Sequence, residues 1–118
     1  MFERFVQGYI ACVEWLNDDL FVSEHPELEA SIRQDCRDFY DANEQDLDEY
    51  DDVYSYEYAG HDFYLTREGH GTGYWDRGLG ALGKRLTEAS EAFGSDDEVQ
   101  THYLDLFHRN ISDEDAAQ

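Results

Sequence analysis

Residues 60–80 read Gly60-His61-Asp62-Phe63-Tyr64-Leu65-Thr66-Arg67-Glu68-Gly69-His70-Gly71-Thr72-Gly73-Tyr74-Trp75-Asp76-Arg77-Gly78-Leu79-Gly80, and the fold turns on how this stretch is assigned. Aromatic and β-branched residues run into a glycine-rich turn and return through Tyr74 and Trp75. The pattern predicts a β-hairpin. His61, Phe63 and Leu65 would point to one face, and Asp62, Tyr64 and Thr66 to the other. Gly69, Gly71 and Gly73 permit positive backbone angles in the turn. Asp76 then stands where it can cap a helix whose buried positions are Leu79, Leu82, Leu86, Ala89 and Phe93. Gly94 is that helix's natural stop.

Working outward, Phe2, Phe5, Val6, Tyr9, Ile10, Val13 and Leu16 recur at spacings of three and four, the stripe of an amphipathic helix over about Phe2 to Asn17. Ser23 is a candidate cap for a second helix, with Pro26 in its first turn and Glu24 and Glu27 at the positive end of its dipole. Leu28, Ile32, Cys36, Phe39 and Leu47 form the buried stripe of that helix. Glu27, Gln34, Asp38, Asp41, Gln45 and Asp48 face away from it. Glu49 to Tyr58 is expected to be an acidic connector studded with tyrosines, either a loop or an irregular strand. Val99 to Phe107 suits a last strand or a short helix, and 111–118 a frayed acidic tail. The expectation is one α+β domain: two N-terminal helices, a β-hairpin, a third helix and a C-terminal strand.

Charge is the unusual feature. Asp and Glu number 29 against 8 Lys and Arg, a formal net charge of -21, in a chain that is 41% hydrophobic and so composed to fold. Between Arg37 and Arg67 there is no basic residue. A surface of this kind repels nucleic acid and anionic membranes and attracts basic grooves on proteins. Direct nucleic-acid binding would need Lys and Arg to neutralise phosphates. Cys12 and Cys36 read as buried thiols of a reducing compartment, with a disulfide between packed helices the less favoured alternative. No signal peptide and no membrane-spanning run are expected, which points to the cytoplasm.

His61, Asp62, His70 and Asp76 are ligand types that suit zinc or manganese, but opposite faces of a strand and a flexible turn argue against a metal site. The turn around His70, Gly71 and Gly73 matches no phosphate-loop spacing, and Glu68 and Asp76 would repel an anion. No histidine stands at a recognisable catalytic spacing from Ser23, Ser31, Ser55, Ser90 or the cysteines. Neither a catalytic residue nor a cofactor is therefore expected. Arg67 and Arg77 are read as ion-pair anchors, with Asp62 or Glu68 the partner of Arg77. Trp15 and Trp75 are read as core.

The block GHDFYLTREGHGTGYWDRGLGALGKRLTEASEAFGS resembles a segment shared by small acidic proteins of bacteriophages, of the form AGHDF[WY]LTR-x-GHG-x-G[FY]WDRG. The resemblance extends over most of the chain to about Ser95 and also takes in FVQGYIACVEWL. It implies a phage origin and a motif made of His61, Asp62, Arg67, His70, Trp75, Asp76 and Arg77. It implies no particular activity.

Three functions are compatible with these features. In the first, a non-enzymatic phage inhibitor of host defence imitates DNA and blocks the basic nucleic-acid-binding groove of a CRISPR or restriction complex. Asp38, Asp41, Glu44, Asp48, Asp51 and Asp52 would supply the charge, and Tyr54 and Tyr56 the contact area. Carboxylates one helical turn apart lie about 6 Å from each other, comparable to neighbouring phosphates on a strand. In the second, a phage housekeeping or adaptor protein acts through its glycine-turn motif. In the third, acidity with Lys84 as the one lysine reflects adaptation to high salt. A small metalloenzyme is the remaining minor alternative.

Overall fold

A computed structural model describes residues 1–106. Their regular secondary structure is all helix, with no strand, so the expected α+β fold is corrected to an all-helical one. Helix α1 spans Phe2–Leu16, α2 Pro26–Ala42, α3 Glu44–Val53, α4 Tyr56–Arg67 and α5 Ala81–Glu91. Residues 97–106 form α6. Short 3-10 turns occupy Val22–Glu24 and Tyr74–Asp76. The expected acidic tail, 111–118, lies outside the described residues, as does Phe107.

The predicted hairpin is α4 followed by a loop. Every residue from Asp62 to Arg67 is buried, so the C-terminal half of this helix has no solvent face to betray a 3.6-residue period. Its start is set by Ser55, whose hydroxyl accepts the Tyr58 N–H at 3.0 Å, and Glu57 stands in the first turn. Its end is a Schellman motif: Gly69 has φ +70, Gly69 N–H donates to Thr66 O, and His70 N–H donates to Leu65 O. The glycine that looked like a hairpin turn is thus a helix stop. The predicted last strand is corrected in the same way, because residues 97–106 are helical.

Two boundaries also differ. The second helix breaks at Asn43, whose side-chain amide donates to Phe39 O at 2.9 Å, and α3 begins at the next residue. The region expected to be a connector, Glu49 to Tyr58, is therefore the end of α3 and the start of α4. Pro26 does occupy the first turn of α2, but His25 rather than Ser23 is the residue before it; Ser23 belongs to the 3-10 turn. Of the expected α1 stripe, Phe5, Val6, Tyr9 and Val13 are buried, while Phe2, Ile10 and Leu16 are half-buried against the core; Cys12 is buried beside them. Cys12 and Cys36 are buried free thiols.

α4 lies at the centre and packs most closely on α1. Glycines allow the approach: a Cβ at Gly60 would come 1.9 Å from Phe5 O, and one at Gly8 1.9 Å from Glu57 O. Around this crossing, Phe63 stacks on Phe39 at 4.0 Å between centroids and meets Phe5 at 5.9 Å and Tyr9 at 5.4 Å. Each such ring pair adds about 0.5–1.5 kcal/mol beyond area burial. The aromatic richness of the chain goes largely into this core.

Candidate partner-binding surface

The carboxylates expected to form a binding face are outward-facing. On α2, Gln34, Asp38 and Asp41 follow at helical steps, and Gln34 donates to Asp38 at 2.9 Å. On α3, Glu44, Asp48, Asp51 and Asp52 share one side by the same spacing. Asp38, Asp41, Glu44, Asp48 and Asp52 are exposed, and Asp51 is half-buried. Only Asp41 of the six has an ion-pair partner among the described residues, Arg37 at 3.2 Å. Arg85 spends its charge on Asp46 and Glu49 instead. The face is therefore left largely uncompensated. Tyr56 is corrected: it is 5% exposed, packs by Tyr40 and donates its hydroxyl to Asp48, so it offers no contact area.

The motif residues mostly build two buried polar junctions. In the first, Asp62 is 0% exposed and accepts the Tyr50 hydroxyl at 2.5 Å and a fork from Arg77 at 2.7 and 3.0 Å. This ties α3, α4 and the loop together. The expected pairing of Arg77 with Asp62 is present, though across a helix and a turn rather than a hairpin. Desolvation, reinforced by Asp62, pushes the Tyr50 hydroxyl far above its usual range, so it remains a donor. In the second, the Arg67 side chain is 4% exposed and reaches Gly94 O at 2.8 Å, Tyr9 Oη at 2.9 Å and Asp35 at 3.0 Å. Tyr9 in turn donates to the buried Asp96 at 2.5 Å. Burying a charged group is tolerable only with such partners.

The remaining motif residues do not converge. His70 is exposed in the loop. Asp76 accepts from Gly73 N and Thr72 Oγ1, both at 3.1 Å, and so caps its own turn; α5 begins behind Gly80, which corrects the expected capping role. Trp75 is 54% exposed and Trp15 67%, against the expectation that both are core. His61, Asp62, His70 and Asp76 are not gathered at one point, and among the described residues no group of three or more His, Cys, Asp or Glu has metal-binding spacing.

What sequence reasoning missed is an aromatic ladder on the α1–α4 surface. Trp15 lies 5.7 Å from His61, His61 6.1 Å from Tyr58, and Tyr58 5.7 Å from Tyr54. Tyr58 and Tyr54 are exposed, and Tyr54 donates to Arg77 O at 2.9 Å. The signal was the i, i+3 step from Tyr58 to His61, visible only once the segment is drawn as a helix. Burial lowers the His61 pKa, and His61 Nδ1 is enclosed with no hydrogen-bond partner. A pocket of about 210 Å³ adjoins the ladder, lined by Gly8, Ala11, Glu57, Tyr58 and His61. A larger cleft of about 480 Å³ between α1, α4 and α6 includes Asn17, Tyr64, Glu68 and Asp96. Asn17 bonds Tyr64, and Glu68 accepts the Asp96 N–H at 2.7 Å, so these groups already hold the helices together. No helix among the described residues is long and apolar enough to cross a membrane. Comparison with protein-family models, curated proteins and solved structures finds no match to this chain.

Proposed function

We propose that this chain is a non-enzymatic inhibitor that inserts its α2–α3 carboxylate face into the basic, nucleic-acid-binding groove of a partner protein. The observation that carries the reading is the run of outward carboxylates, five of six without an ion-pair partner among the described residues, while arginines elsewhere are committed to other acids. Keeping so much like charge together costs stability, and a cationic partner would relieve that cost on binding. Together with the resemblance to small acidic phage proteins, this makes a host defence complex such as a CRISPR effector or restriction enzyme the expected target. The motif-centred reading is weaker, because Asp62 and Arg67 are consumed in buried junctions.

The test is affinity capture from a bacterial lysate, followed by binding measurements on the recovered partner with Asp38→Lys and Asp52→Lys variants. Both residues are exposed and neither has an ion pair to disturb. The reading expects each reversal to weaken binding at least about tenfold and duplex DNA to compete. Unchanged affinity, or simultaneous binding of DNA and inhibitor, would reject it.

A further inference from the structure

Two histidines meet where α6 lies against the entry to α2. His25 precedes Pro26, Glu27 is in the first turn of α2, and His102 and Asp105 stand one helical step apart on α6, on one face of that helix. Together with Leu106 these four residues line a cavity of about 110 Å³. That is too small for an organic ligand, whose sites begin at roughly 300 Å³. It is room for an ion with a water or two.

The distances fit an ion's surroundings better than a hydrogen bond. His102 Nδ1 lies 2.8 Å from Glu98 O, and a carbonyl only accepts, so Nδ1 carries the proton. In the neutral ring Nε2 then keeps its lone pair, and it stands 3.5 Å from Glu27 Oε1. That gap is longer than a hydrogen bond and sets a lone pair against a carboxylate. Donors held about 2.0–2.1 Å from a tetrahedral ion lie about 3.4 Å from each other. The His25 and His102 rings are 5.1 Å apart between centroids and inclined at 68°. Two imidazoles on one such ion have ring centres about 5 Å apart. An imidazole whose second nitrogen donates to a backbone carbonyl is also the usual form of a metal ligand. As they stand, no three of the donors have metal-binding spacing. Glu27 and Asp105 are exposed, however, and neither is held by an arginine or lysine among the described residues, so both carboxylates can swing inward.

We propose that His25, Glu27, His102 and Asp105 bind one divalent transition-metal ion, with zinc the best fit. Two imidazoles with carboxylates suit zinc, whereas sites of oxygen alone suit magnesium or calcium. The ion would tie α6 to the start of α2. Its site is at the other end of α2 from Asp38 and Asp41, so this inference stands or falls independently of the partner-binding reading.

The experiment titrates Zn²⁺ into the whole chain by calorimetry at about pH 7.5, where imidazole is neutral. Excess Mg²⁺ is present throughout to occupy surface carboxylates. The expected result is one zinc per chain, bound at least about tenfold more weakly by His25→Ala and by His102→Ala and equally well by His70→Ala. Ring-proton NMR of the unmutated chain guards against a variant that fails to fold. Zinc should shift the His25 and His102 resonances together and leave those of His61 and His70 in place. No zinc binding above the magnesium background, unchanged affinity in His102→Ala, or shifts confined to other histidines would overturn the site.

Discussion

Asp62→Asn keeps the shape of the side chain and removes its charge. In the native helix, both Asp62 oxygens are occupied by Arg77, and one also accepts the Tyr50 hydroxyl. An amide has one acceptor oxygen, so the fork loses a bond and an NH2 group is turned toward a donor. Arg77 loses its counterion. Removing one partner of a buried pair typically costs about 3–5 kcal/mol. The Arg77 side chain is 20% exposed and can recover part of its hydration, so the lower end, about 3 kcal/mol, is expected. Against a total stability of about 5–15 kcal/mol this leaves a folded protein. Its Tm should fall by roughly 12 °C. Urea unfolding followed by circular dichroism would measure the cost. The control is Asp46→Asn, which breaks a pair with the half-exposed Arg85 and should cost at most about 1 kcal/mol. Equal costs for the two variants would refute the claim that the motif's acid and arginine form a structural junction.

Three other outcomes follow from the same geometry. Gly60→Ala would push a methyl to 1.9 Å from Phe5 O, forcing α1 and α4 apart at a cost of about 3 kcal/mol or more, whereas Gly71→Ala, in open space, should leave the thermal melt unchanged. Burial depresses the His61 pKa below its ordinary 6.5, so the folded form resists protonation. Stability from this source is intact above that value and falls as pH drops through it toward the depressed folded value, less steeply than for a fully buried ring because His61 is half-exposed. The Tm gap between wild type and His61→Phe should shift in favour of the variant on acidification, and a pH-independent gap would count against it. Acrylamide should quench both tryptophans readily and their emission should lie at the solvent-exposed end; blue-shifted, protected emission would contradict the placement of Trp15 and Trp75.

α1 and α2 were legible because they are amphipathic. Phe5, Tyr9 and Val13 repeat at helical steps opposite charged residues, and the same holds for Leu28, Ile32 and Cys36. α4 was not legible, since Asp62, Thr66 and Arg67 are as buried as Phe63 and Leu65 and the polar face that would mark its period is missing. Its aromatic and β-branched content then mimicked a strand. Ser55 two residues before Glu57 was the local clue to a helix start, and Gly69 served either reading. The acidic face of α2 could be drawn from the wheel, but the fate of each tyrosine could not. Tyr50 and Tyr56 turn inward to carboxylates while Tyr54 and Tyr58 remain outside, a distinction made by where α3 stops at Val53. Tryptophan exposure was misjudged because size alone argued for burial, whereas Trp15 sits off the α1 stripe.

The most direct test of the proposed function is the salt dependence of affinity for the captured partner, measured from about 50 to about 200 mM salt with and without competing duplex DNA. An inhibitor that imitates phosphate charge should lose affinity at least about tenfold over that range and be displaced by DNA. Affinity that is flat with salt and indifferent to DNA would show that the carboxylate face is a solvated surface.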